Sequence, residues 1–218
     1  MDLKDTYRTI FETAEGLFKD RGSKFLAYAW PVRSEEEIQR HLEDLRKEHP
    51  KARHFCYAYR LGHTGAQFRA NDDGEPSGTA GKPILGQLIK RELTWVLVVS
   101  VRYFGGTLLG TSGLIQAYRE SASLALEQAQ ILEKVVCQRL RVHFDYALMG
   151  TVMNEVKKKK VDITHHSFDA SPSIEIAIRL SEVEAMVPIL RAAILEKPVE
   201  ALTEEDENRE DLQFEWLE

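Results

Sequence analysis

The sequence predicts an α+β protein of two small domains, residues 1–134 and 135–218, the second of them a ferredoxin-like α/β plait. Three observations carry this expectation. The 218 residues exceed one typical domain yet fall short of two large ones. Apolar residues switch repeatedly between strand-like alternation and helix-like spacing. Near Glu133 the pattern changes, and the chain beyond it runs βαββα with a tail able to add a last strand.

Taken in order, residues 9–32 read as strand material folded into a hairpin at Arg21-Gly22-Ser23. Ser34 followed by Glu37 is a capping-box signature, and Ile38, Leu42 and Leu45 recur at helical spacing until Pro50 ends the segment. HFCYAYRLG (54–62) alternates as a strand, with 66–70 as its hairpin partner. Ile84, Leu88 and Ile89 predict a short helix with Pro83 in its first turn, where the missing amide hydrogen costs nothing. TWVLVVSVRYF (94–104) is apolar almost throughout, as a central strand covered on both faces should be. GGTLLGTSG then leads into a long helix whose inner face is Leu114, Tyr118, Ala122, Ala125 and Ala129.

In the second domain VVCQRLRVHFDY alternates as a strand, and ALMGTVMNEVKKKK is a helix with Leu148, Val152 and Val156 inward. DITHHSFDA and PSIEIAIRL form a hairpin. Ser181 and Glu184 are placed to cap a last helix, which Pro188 requires to kink or to start later.

Composition narrows the function classes. With 43% hydrophobic and 29% charged residues the chain is neither disordered nor fibrous. Its longest apolar run, Trp95 to Val101, is far below the roughly 20 residues that span a bilayer, and the N-terminus lacks a signal-peptide apolar stretch, so a cytoplasmic protein without membrane partners is expected. Cys56 and Cys137 stand 81 positions apart with no metal-type spacing, which predicts two reduced, partly buried thiols. The net charge of −6 is uneven: 19 Lys/Arg against 18 Asp/Glu over 1–134, 9 against 8 over 135–199, and 1 against 9 over 200–218, leaving the body at +2 and the tail at −8. Such a tail reads as a solvated segment, or as a nucleic-acid mimic shielding a basic face, and its LQFEWL end alternates enough to form an edge strand.

The richest stretch is NDDGEPSGTAGKPIL (71–85). Amides around Gly78 and Gly81, beside Lys82 and a helix N-terminus, suit an anion. Asp72, Asp73 and Glu75 suit Mg²⁺ oxygen ligation, with His54 as a base, in a phosphate-ester hydrolase. A tight turn prefers the same residue types. No Walker loop is present, because Pro76 stands where its first glycine belongs and Pro83 follows Lys82. In the second glycine-rich segment Gly105, Gly110 and Ser112 keep the spacing, but Thr111 replaces the lysine. Nor does 105–110 fit the dinucleotide GxGxxG fingerprint. Ser77 and Ser112 lack a nucleophile elbow. His165 and His166 on one strand point to opposite faces, away from a joint metal site. Lys157 to Lys160 form a helix C-terminus, either solvated or in contact with phosphates. Arg53, Arg60, Arg69, Lys82, Lys90, Arg91 and Arg102 interleave with His54, Tyr57, Tyr59, Tyr103 and Phe104, the chemistry of phosphate contact and base stacking.

Together NDDGEPSGTAGKPIL and VVSVRYFGGTLLGTSGLIQAY (98–118) resemble the signature of the IMPACT family, in its bacterial YigZ and YvyE type, and the resemblance extends over essentially the whole chain. The family motif falls on Asp72, Asp73, Gly74, Glu75, Pro76, Ser77, Gly78, Thr79, Gly81 and Pro83, then on Arg102, Tyr103, Phe104, Gly105, Gly106, Gly110 and Gly113. The resemblance implies a ribosomal protein S5 domain 2-like first domain and a second domain similar to domain V of elongation factor G. Eukaryotic members look like translational regulators that compete for the activator of a stress kinase and carry an extra RWD domain. This chain begins directly at the family domain, so that kinase role is not expected here.

The expectation is therefore a non-enzymatic RNA- or ribosome-binding protein without a cofactor. Its contacts are Lys82, Arg102 and Tyr103 with the amides of Gly78, Gly81, Gly105, Gly106 and Gly110. The alternatives are the Mg²⁺-assisted hydrolase using Asp72, Asp73 and Glu75, and a protein-interaction module with a protein partner. The sequence leaves the oligomeric state open.

Overall fold

The structure is a computed structural model that describes residues 5–169 and 171–217. Contacts divide it into two compact units, Thr6–Lys134 and the residues from Val135 onward, and Asp5 is grouped with the second unit rather than the first.

In the first unit β1 (Thr6–Ile10) lies apart and pairs with β7 (Ile131–Val135). The expected hairpin is β2 (Ala14–Asp20) and β3 (Ser23–Pro31), joined by Arg21 and Gly22 with φ of 43° and 80°. Two positive φ angles in a two-residue turn match the right-handed twist of the strands it joins. Helix α1 (Glu35–Glu48) begins at Ser34, whose hydroxyl accepts from Glu37 N, and buries Ile38, Leu42 and Leu45. The Glu37 carboxylate reaches back to Arg33 N instead of closing a full capping box. Then come β4 (His54–Leu61), β5 (Gln67–Asn71), α2 (Gly81–Lys90), β6 (Val96–Tyr103) and α3 (Gly110–Gln128).

The five long strands form one antiparallel sheet in the order β2-β3-β6-β4-β5. Central β6 is buried from Val96 to Arg102. Period-two alternation sends Val96 and Val98 toward α2 and α3, and Leu97, Val99 and Val101 toward α1. The result is three layers with a core on each side of the sheet. Consequently the C-terminal end of β6, and the loop after it, emerge between the helical layers.

The second unit contains β8 (Cys137–Phe144), α4 (Met149–Lys158), β9 (Asp162–Ser167), β10 (Ser173–Arg179), α5 (Val183–Ile194), α6 (Glu204–Glu207) and β11 (Leu212–Leu217). Its sheet runs β11-β8-β10-β9, every neighbouring pair antiparallel, which is the interleaved arrangement of two split βαβ units. Leu140, Val142, Ile174 and Ile176 pack on Val152, Val156, Leu190 and Ile194 from the two long helices.

Three expectations change here. Ser181 does not cap α5: its amide and hydroxyl bind the Asp5 carboxylate, and the helix runs through Pro188 from a preceding 3-10 turn. Cys137 is exposed, whereas Cys56 is buried. The acidic tail is not simply solvated, because α6 and β11 fold onto the unit and Asp206 is only 4% exposed.

Candidate functional site

The 71–85 stretch is organised around its own first aspartate. Asn71 ends β5 and its side-chain oxygen accepts from Asp73 N at 2.7 Å, which turns the chain. Asp72 then accepts from Gly78 N (2.8 Å), Ala80 N (3.0 Å) and Gly81 N (2.8 Å), so one carboxylate closes the loop and caps α2. Burial opposes ionisation, but the amides of Gly78, Gly81 and Ala80, with the Lys82 charge, hold the Asp72 carboxyl below its ordinary range. A Cβ on Gly81 would lie 2.5 Å from Asn71 N, so the glycine marks a close backbone approach. The amides expected to cradle an external anion at Gly78 and Gly81 are thus occupied by Asp72.

Asp73, with φ of 41°, accepts from Arg46 Nη2 at 2.9 Å and from Phe55 N at 2.7 Å. Its carbonyl lies 2.9 Å from His54 Nδ1. A carbonyl can only accept, so Nδ1 carries a proton. Glu75 takes a third direction: its Oε1 accepts from Arg102 Nη1 (2.6 Å) and from the Tyr118 hydroxyl (2.7 Å). Burial pushes the Tyr118 hydroxyl far up, with Cys56 and Glu75 adding to the effect, so it stays protonated as a donor. The three carboxylates expected to converge on Mg²⁺ therefore serve three different partners, and no group of three His, Cys, Asp or Glu able to hold a metal ion forms among the described residues.

The second glycine-rich segment is anchored against the β2–β3 turn. Gly105 N donates to Ser23 Oγ at 3.1 Å, and a Cβ on Gly105 would fall 1.9 Å from the Gly22 carbonyl carbon. Gly106 and Gly110 both adopt positive φ, and Gly113 lies against Leu109. Helix α3 opens at Gly110 without a side-chain cap and without an acidic residue in its first turn. Its amides and its dipole therefore favour an anion.

The two segments meet. Glu75 and Pro76 share a cavity of about 700 Å³ with Arg102, Tyr103 and Phe104, residues 108–111, Lys51 and Arg53 just before β4, and His54 at its start. The cross-strand pair His54–Arg102 sets its floor. The Arg102 guanidinium lies 5.4 Å from the Phe25 ring centre and 5.6 Å from that of Phe104, and its Nε is buried without a hydrogen-bond partner among the described residues. Because Arg102 neutralises Glu75, the exposed cations Lys51 and Arg53 leave the cavity basic.

Of the other predicted residues, Lys82 lies against Gly78 and is not part of the cavity wall. Ser77 and Thr79 belong to the turn, with the Thr79 hydroxyl donating to Pro76 O at 2.7 Å. Pro83 is buried in the first turn of α2. The Tyr103 hydroxyl pairs with His49 Nδ1 at 2.9 Å, and His49 Nε2 with the Tyr28 hydroxyl at the same distance. His165 and His166 pair with Glu175 and Ile174, neighbouring residues of β10 on opposite faces of the sheet, as alternation predicts, and their ring centres lie 6.4 Å apart. Sequence reasoning missed Lys51, His49 and Leu108. The nearest signal was that Lys51 comes directly after the helix-ending Pro50.

A family described as the Impact N-terminal domain matches residues 21–126. The chain is 34% identical over 180 residues to a Bacillus subtilis protein named IMPACT family member YvyE, covering 83% of each chain. It is 38% identical over 163 residues to the IMPACT family member YigZ of Escherichia coli, covering 74% of this chain and 80% of that one. A crystal structure titled as that of a hypothetical protein superimposes with a TM-score of 0.65 at 26% identity, covering 99% of both chains.

Proposed function

The chain belongs to the IMPACT family, and from that premise we propose that it is a non-enzymatic RNA-binding protein of the translational apparatus, engaging phosphates in the basic cavity of its first unit. The observation that carries this reading is the meeting of exposed Lys51 and Arg53, the uncapped α3 N-terminus and the half-exposed Phe104 ring around one 700 Å³ cavity. Cations and amides suit phosphate, and an aromatic face suits a base. Arg102 acts here as the inner charge that cancels Glu75, so Lys51 and Arg53 take over the phosphate contacts.

The same proposal extends to fold and place. The first unit is read as S5 domain 2-like and the second as similar to elongation factor G domain V, a reading supported in the second unit by its β11-β8-β10-β9 order. A cytoplasmic, ribosome-associated setting is part of the same reading. No helix among the described residues is long and apolar enough to cross a membrane.

Filter binding of ribosomal RNA and tRNA tests the proposal. Retention at low salt should fall steeply as salt rises, and Lys51→Ala and Arg53→Ala should each lower the salt slope by about one unit. No retention at low salt overturns it.

A further inference from the structure

Phe104 stands between two cavities. The residue is 56% exposed, and together with Tyr103 it borders both the 700 Å³ cavity and a second one of about 450 Å³. The second cavity is walled by Lys19, Lys24, Leu17, Leu26 and His49. Register places the cavities on opposite faces of the sheet. Lys19 pairs with Lys24 across β2–β3, and Lys24 with Tyr103 across β3–β6, which makes one row on the α1 face; His54 and Arg102 pair on the other face. A ligand touching both cavities must pass around the end of β6, over Phe104.

The second cavity carries a separate sign of its occupant. Two lysines directly opposite one another on neighbouring strands repel, and Lys19 and Lys24 have no ion-pair partner among the described residues. A bound polyanion removes that cost. Its floor is held rigid, since His49 bridges the Tyr28 and Tyr103 hydroxyls. Leu17 in the second cavity and Leu108 in the first are 48% and 81% exposed and add apolar surface to either side.

We infer that the first unit recognises single-stranded RNA, which crosses the end of β6 with a base stacked on Phe104 and phosphates held by Lys51 and Arg53 on one side and by Lys19 and Lys24 on the other. This rests on the RNA-binding reading above and adds the strandedness of the RNA and its path. Only an unpaired base offers its face to an exposed ring; in a duplex both faces are covered by neighbouring pairs. An acidic peptide would satisfy the lysines but leave Phe104 without a flat partner.

Fluorescence anisotropy of the full chain with a labelled single-stranded RNA of about ten nucleotides, and with the same strand annealed to its complement, decides the matter. The single strand should bind at least roughly ten-fold tighter. Phe104→Ala should weaken single-strand binding roughly ten-fold and leave duplex binding unchanged. Phe104→Leu, which keeps apolar bulk beside Arg102, should show the same loss, separating stacking from misfolding. Lys19→Ala and Lys24→Ala should each reduce the salt slope by about one unit. Equal duplex affinity, a silent Phe104→Ala, or displacement by polyglutamate as efficient as by unlabelled RNA overturns this path while the cavity still binds RNA. If neither RNA form binds, the RNA-binding reading falls with it.

Discussion

Arg102 Nη1 donates to Glu75 Oε1 over 2.6 Å, with the two side chains 7% and 4% exposed. Desolvating two charges is expensive, and the Tyr118 hydroxyl at 2.7 Å supplies a further bond to the same oxygen. Removing one partner leaves a buried charge uncompensated. Glu75→Gln should therefore cost about 3–5 kcal/mol in chemical denaturation, and Glu75→Gln combined with Arg102→Met should recover much of it. A Glu75→Gln protein as stable as the parent would mean that the pair contributes nothing to holding the loop.

Asp72 links the loop to pH. Its carboxyl ionises more easily folded than unfolded, so its contribution is present above the ordinary value of 3.8 and is lost as pH falls through the lower folded value. Asp72→Asn should destabilise the protein by roughly 1–3 kcal/mol at neutral pH and flatten the acid limb of its stability curve. Urea midpoints measured from neutral to strongly acid pH check both effects.

The β2–β3 turn and the loop after β6 touch backbone to backbone. Gly105→Ala would place a Cβ 1.9 Å from the Gly22 carbonyl carbon, which cannot be relieved by a side-chain rotation. A loss of roughly 3 kcal/mol or more is expected, because the turn itself must move. Gly106→Ala, at φ of 86° with open space around it, should cost only about 1–2 kcal/mol. Thermal unfolding of the two variants side by side gives the comparison.

The tail holds the second unit together. Buried Arg191 donates to Asp206 O at 2.6 Å and Glu207 O at 3.2 Å, and lies 4.6 Å from the centre of the Phe214 ring. A chain ending at Leu202 removes those acceptors and strand β11, so hydrogen exchange of β8 and β10 amides should become fast. Unchanged protection would return the tail to the solvated segment that its charge alone suggests.

Much of the fold was legible because its signals are local. Ser34 and the Ile38, Leu42, Leu45 spacing define α1 within a few turns, and unbroken apolarity marks β6 as central. Ser181 misled because a helix start depends on competing partners, and Asp5 lies 176 positions from it. The acidic tail misled for the same reason: composition cannot show that a buried arginine awaits its carbonyls.

In the 71–85 stretch the sequence by itself determined a turn rich in carboxylates beside a second glycine-rich segment, and that the two belong to one family signature. Only the tertiary structure decided what each carboxylate does. Asp72 turns inward to amides six to nine positions away, a distance the loop can span alone. Glu75 finds Arg102 and Tyr118 at separations of 27 and 43 residues, which only sheet register and the packing of α3 bring within bonding range. Side-chain type sets which bonds a residue can make, while long-range packing sets which of them it makes.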